Sequence, residues 1–228
     1  MIVVSEMAMA GGLAMSMPWM RLPGQTWSGA AASFLVMWVP MMVAMMLPSL
    51  LPMLWRYRRA VGSADGTRLV RLTALVAVGY FVVWTSVGMI AFPLGVALAA
   101  IEMHQPALAR AAPIGAGAVV LIAGVFQYTR WKAHHLAFCR EAPGRGRTLA
   151  ADASAAWRHG LRLGVHCAYS CAGLTAVILV LGVMDLRVMA VVTAAITAER
   201  LAPAGVRVAR AVGVVVIGAG LFLIVRGG

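Results

Sequence analysis

Residues 30–55 carry no charge, and about 20 apolar residues in a helix suffice to cross a bilayer core. The run is long enough to span with length to spare. It does not stand alone: 62% of the chain is hydrophobic, against 19 basic and 7 acidic residues, and the mean hydropathy is +0.90. A single soluble core has too little interior to hide that much apolar surface. Lipid is the solvent that fits. The expected fold is all-α, a polytopic transmembrane helix bundle.

Six spans are legible, at about 30–55, 70–100, 111–128, 161–184, 188–198 and 206–225. Residues 30–228 form one transmembrane domain. Residues 1–29 are an apolar lead-in, interfacial or a partial helix, without the basic start of a signal peptide. Pro40, Pro48 and Pro52 remove backbone donors from the first span and are expected to kink it. Pro93 and Gly95 mark a bend late in the second span, and residues 101–110 read as a loop. Residues 131–140 read as a short helix after the third span. Pro143, Gly144 and Gly146 break the chain there. Thr148 is the expected cap of a short Ala-rich surface segment, 149–159. The fifth span is short for a full crossing.

The basic residues sit between the spans, which is the pattern of membrane orientation and not of a phosphate-binding face. No nucleic-acid partner is expected. The segments after the first, third and fifth spans carry fifteen of the 19 basic residues, and the opposite ends carry Arg21, Arg110, Arg187 and Arg226. Six spans with both termini outside satisfy the positive-inside rule at every loop. The setting this implies is a bacterial inner membrane.

Chemistry concentrates between Arg130 and Cys171. All three cysteines and four of the five histidines lie there. An odd cysteine number argues against a closed disulfide framework, and a cytoplasmic face keeps thiols reduced. His135 and Cys139 are four residues apart, as are Cys167 and Cys171, so each pair shares a helical face. Two such pairs on facing helices make a four-ligand site of imidazole and thiolate, suited to Cu or Zn, or to an iron–sulfur cluster. His134 and His166 are additional ligands or their hydrogen-bonding partners. Arg130, Lys132 and Arg140 are the cations at hand to offset thiolate charge. Met41, Met45, Met42 and Met46 pair at the same spacing in the first span. Adaptable core packing is one reading of them, and a thioether path for Cu(I) is the other.

Other polar residues read more plainly. His104 and His159 read as solvated. Asp185 and Glu199 flank the fifth span. Carboxylates at membrane depth are functional candidates by default, but here turn and helix-end roles, or solvated pairs with Arg187 and Arg200, fit their positions. No serine, histidine and acid arrangement and no nucleotide motif is present, so an enzyme is not expected.

The runs MWVPMMVAMMLPS, GVFQYTRWKAHHLAFCR and GVHCAYSCAGL, with GVMDLRVM and TAER after them, resemble the DUF2182 family, described as predicted metal-binding integral membrane proteins. The resemblance covers about residues 35–215. It implies a metal site on the loop motif and on the fourth-span motif. His135 stands where the family's first loop cysteine is usual, and Cys139 keeps the second. Cys167 and Cys171 are kept, while Tyr169, Ser170 and Ala172 replace a glycine, a cysteine and a tryptophan. Asp185 replaces an asparagine and Arg200 a lysine. Cysteine to histidine preserves ligand capacity, and cysteine to serine lowers it.

Three functional readings follow. The first is a metal-binding membrane protein that handles Cu or Zn or assembles a metalloprotein, with a metalloprotein or membrane protein as partner. The second is a transporter module lined by the kinked first span and the short fifth. The third is a membrane scaffold subunit without metal, in which Gly213, Gly218 and Gly220 of the sixth span are close-contact positions; a homo-oligomer is one of the partners considered.

Overall fold

The structure is a computed structural model and describes residues 24–62, 65–104, 106–141, 149–183 and 185–227. Most of the lead-in, Pro143, Gly144, Gly146 and Thr148 lie outside the described residues. Among these residues there are seven helices and no strand: α1 (Trp27–Val61), α2 (Gly66–His104), α3 (Pro106–Phe126), α4 (Arg130–Glu141), α5 (Ala153–Leu181), α6 (Leu186–Leu201) and α7 (Gly205–Gly227). The all-α bundle is as the hydropathy implies.

Four helices, α1, α2, α5 and α7, are long and apolar enough to cross a membrane. A fifth crossing arises if α3 and α4, bent by 64° to one another, count as one. The outer flanks carry Val36, Met89, Ile90, Leu94, Leu98, Val215, Phe222 and Val225, all exposed. Such a surface suits lipid, where exposed apolar side chains cost nothing. The sixth span expected from the sequence rests on α6. Its 16 residues make about 24 Å of helix, against a hydrocarbon core of about 30 Å.

Two local expectations are corrected. Residues 101–104 and 106–110 are helical, so α2 and α3 close up the expected loop. The Ala-rich segment is not a separate surface helix, because it runs on into the fourth span as the single 29-residue α5. The cap of α5 is Asp152, whose carboxylate accepts from the Ser154 and Ala155 backbone N–H groups at 3.1 and 3.2 Å. The Ser154 hydroxyl and the Ala155 N–H hold this carboxyl below the usual range. As a result His166, Cys167 and Cys171 lie in the middle of a long helix, not in its first turns.

Glycine sets the closest helix contacts, as it does where backbones must approach in lipid. A Cβ at Gly79 of α2 would sit 3.0 Å from the Trp157 carbonyl of α5, and one at Gly164 of α5 2.9 Å from the Tyr80 carbonyl. Residue numbers rise together along this pair, so α2 and α5 run parallel. In α3 and α7 they run oppositely: Gly124 meets Gly213, and Gly117 meets Gly220.

The basic ends gather on one side. Arg68 donates to the Ala151 carbonyl at 2.6 Å, and the Leu149 N–H to the Ala60 carbonyl at 3.0 Å. Arg56 donates to the Arg140 carbonyl. Arg140 donates to the Glu199 and Pro203 carbonyls, each at 2.9 Å. Tyr128 donates to the Arg210 carbonyl at 3.0 Å. The C-terminal ends of α1, α4 and α6 therefore share a face with the N-terminal ends of α2, α5 and α7.

Candidate metal centre

The first span turns one stripe inward. Met41, Met42, Met45, Met46, Ser49, Leu50 and Met53 are all buried, and Met46 is fully so. The spacing i, i+1, i+4, i+5 is that of a helix face against a core. Met46 lies ten residues before Arg56, about 15 Å along the helix axis. On α1 the site beside Met46 is thus set back from the basic end, and Arg200 reaches that site from the last turn of α6.

Cys139, Cys167 and Cys171 are buried in the same core cluster as these methionines. All three are free thiols. Cys167 Sγ lies 4.0 Å from Met46 Sδ and 2.8 Å from the hydroxyl of the fully buried Tyr80. Ser170 Oγ is 3.8 Å from Cys171 Sγ. Cys167 and Cys171 face the same partner, the guanidinium of Arg200. Its Nη2 donates to Cys167 Sγ at 2.8 Å and to Cys171 Sγ at 3.1 Å. Ser170 Oγ accepts from Nη2, and Ser49 Oγ from Nη1, both at 3.2 Å. The Ser49 hydroxyl in turn donates to the Met46 carbonyl at 3.0 Å.

The expected pair Glu199–Arg200 is therefore not a solvated helix end. Arg200 is 4% exposed and Glu199 2%. Glu199 forms an ion pair with Lys132 at 2.7 Å, both side chains 2% exposed, and Lys132 also donates to Gln127. Glu199 Oε1, Gln127 Nε2 and Arg200 Nε are buried with no protein partner. The cation that touches the thiols is Arg200, and not Arg130, Lys132 or Arg140. Arg130 is exposed, Lys132 is held by Glu199, and Arg140 ties α4 to the end of α6.

The four ligands paired by spacing are divided. Cys139, Cys167 and Cys171 share the buried core. His135 turns instead to His166, with 2.8 Å between their Nδ1 atoms. Its ring also packs on Tyr169, 5.0 Å between centroids. His166 stacks on Phe138 at 3.7 Å. His134 is exposed beside them. The histidines thus form an outer cluster against the inner sulfur cluster. Among the described residues, no group of three or more His, Cys, Asp or Glu is arranged to hold a metal ion.

Asp185 caps α6 by accepting from the Arg187 and Val188 N–H groups at 2.8 and 3.2 Å, the helix-end role expected of it. His104 is exposed. His159 is half-buried and stacked on Tyr57 at 5.4 Å, not solvated. Arg200, Tyr80 and Ser49 were absent from the expected site. The sequence signals for them were the TAER motif with its two adjacent charges in a short apolar helix and a tyrosine in the middle of an apolar run.

A helical bundle with apolar flanks and a buried cluster of thiols, thioether and guanidinium is the kind of setting in which soft metals are handled. The chain belongs to the PpoB2 family, described as copper chaperone, whose model matches residues 35–223. The match takes in the stretch on which the motif resemblance rests. Comparison with curated proteins gave no match, nor did comparison with solved structures.

The Lys132–Glu199 pair is expected to hold α4 against α6. Lys132→Met alone strands a buried carboxylate and should lower stability by about 3 kcal/mol. The double variant Lys132→Met/Glu199→Gln should regain most of that loss. Thermal unfolding in detergent reads both, and a double variant as unstable as the sum of the singles would contradict the pairing.

Proposed function

We propose that the protein is an integral membrane copper chaperone that carries Cu(I) on Cys167 and Cys171. The observation that carries this reading is the buried thiol pair, four residues apart on α5 and facing one permanent cation. Thiolates and thioethers are the soft ligands that select Cu(I). Met46 supplies a thioether beside Cys167, and Cys139 is a third sulfur in the same core. Zinc instead takes four ligands almost always, and the described residues bring no such set together. The family description points the same way.

On this reading copper is cargo. The methionine stripe of Met41, Met42, Met45 and Met46 lines the inner route to the thiols. His134, His135 and His166 form an outer cluster, from which an imidazole can meet the metal on its way in or out. The receiving partner is a metalloprotein or another membrane protein. The polar groups where α1 meets α6, Ser49 and Arg200, are bound to one another and to the sulfurs. This favours holding a metal over conducting one.

The membrane placement belongs to the same proposal. Six crossings, with α6 short and tilted little, put both termini outside and the basic ends in the cytoplasm of a bacterium. The shared face of those ends supports it.

Elemental analysis of detergent-purified protein tests the cargo. Copper and chain are expected in equal amounts in the wild type from copper-replete cells, with copper lost in Cys167→Ser/Cys171→Ser. A wild type without copper, or a double variant that keeps it, contradicts the proposal. The topology is checked with a reporter active only outside the cytoplasm. It should be active when fused after Gly228 and silent when inserted after Arg147, and the reverse pattern would contradict the orientation.

A further inference from the structure

We infer that Arg200 is the selectivity residue of the thiol pair: its buried charge matches a monovalent metal held by two thiolates and mismatches a divalent one. This rests on the reading of Cys167 and Cys171 as copper ligands.

An arginine side chain stays protonated in proteins, and a buried charge without a counter-charge is costly. Arg200 is 4% exposed. The acid next to it in sequence, Glu199, is taken by Lys132 at 2.7 Å. The groups within hydrogen-bond reach of the guanidinium are two serine hydroxyls and the Cys167 and Cys171 sulfurs. Hydroxyls orient a cation but do not neutralise it. The sulfurs are the contacting groups that can carry negative charge.

One Cu(I) bound by two thiolates has one net negative charge, and the guanidinium brings the buried assembly to neutrality. One Zn(II) on the same two thiolates is already neutral, which leaves the guanidinium unmatched in the core. Zinc would balance only by recruiting the Cys139 thiolate as well, and would still need a fourth ligand. His135, the other member of the expected set, is engaged with His166 at 2.8 Å. Neutrality and ligand number thus select the same metal.

The surroundings fix the cation in place. Ser49 on α1 and Ser170 on α5 hold its two Nη atoms, and the Lys132–Glu199 pair fixes the last turn of α6. Loading leaves the metal as Cu(I). Two Cu–S bonds form, the bonds to a Cu(I)-carrying thiol donor break, and any proton still on a sulfur leaves to solvent. Ag(I), monovalent and soft, should be accepted in the same way.

The test is anaerobic competition against chromophoric Cu(I) and Zn(II) chelators, on full-length protein in detergent. The wild type is expected to bind Cu(I) and Ag(I) and to leave Zn(II) with its chelator. Arg200→Gln should weaken Cu(I) about 10- to 100-fold, the usual range for a partner of the ligands, while Zn(II) binding holds or improves. Arg200→Lys keeps the charge and should keep most of the preference for Cu(I). Equal loss of both metals in Arg200→Gln, no change in either, or a lysine variant as impaired as the glutamine one would overturn the inference. If Arg200→Gln does not fold, the wild type still decides, because Zn(II) competing evenly with Cu(I) for Cys167 and Cys171 overturns it. A wild type that takes up no copper contradicts the proposed function itself. Copper uptake with unaltered selectivity in Arg200→Gln contradicts the role of Arg200 alone.

Discussion

A guanidinium cannot lose its charge inside this bundle, and much of the surrounding arrangement follows from that. Arg200 sits in a core of methionine, leucine and aromatic side chains. Burial there requires donors to be satisfied and charge to be opposed. Ser49, Ser170, Cys167 and Cys171 meet the first requirement. The second falls to the sulfurs, since Glu199 is already paired with Lys132. Three helices are thereby pinned at one point: α1 through Ser49, α5 through its thiols and Ser170, and α6 through Arg200 itself. The adjacent pair draws in α4 through Lys132. A single buried polar knot ties the sulfur site to the helix ends that carry the basic residues.

The bundle around the knot relies on different physics. Helices suited to lipid associate through close backbone approach and directed polar contacts, and both kinds of contact are present. Glycines give the approach between α2 and α5 and between α3 and α7. Trp38 illustrates the polar contact: its ring is fully buried, and its Nε1 donates to the Trp84 carbonyl across α1 and α2 at 2.9 Å. The parallel α2–α5 pair brings Tyr80 to Cys167, so the packing of two long helices delivers a hydroxyl to the thiol site. Structure and site chemistry share these contacts.

The all-α bundle was legible in the sequence, because long apolar runs mark helices suited to crossing a membrane. The uncharged first span reads through as α1, one of the helices long and apolar enough to cross a membrane. The start of α5 did not. Its Ala-rich opening has little amphipathic pattern, and only Asp152 marks where the helix begins. The site was half legible. Helical spacing correctly placed Cys167 and Cys171 on one face, but spacing on one helix says nothing about what stands opposite. It paired His135 with the cysteines, whereas the packed helices set His135 against His166. Arg200 was hidden by its neighbour: an adjacent acid and base at a helix end read as a solvated pair. Their separation, one toward Lys132 and the other toward the thiols, is a tertiary fact.

The central claim is that a sulfur pair, and not the histidine cluster, holds the metal. Copper K-edge absorption of the Cu(I)-loaded protein tests it directly. The account predicts a sulfur-only first shell dominated by the two thiolates of Cys167 and Cys171, unchanged in His135→Ala/His166→Ala. A shell containing imidazole nitrogen, or one that disappears in that histidine double variant, would contradict it.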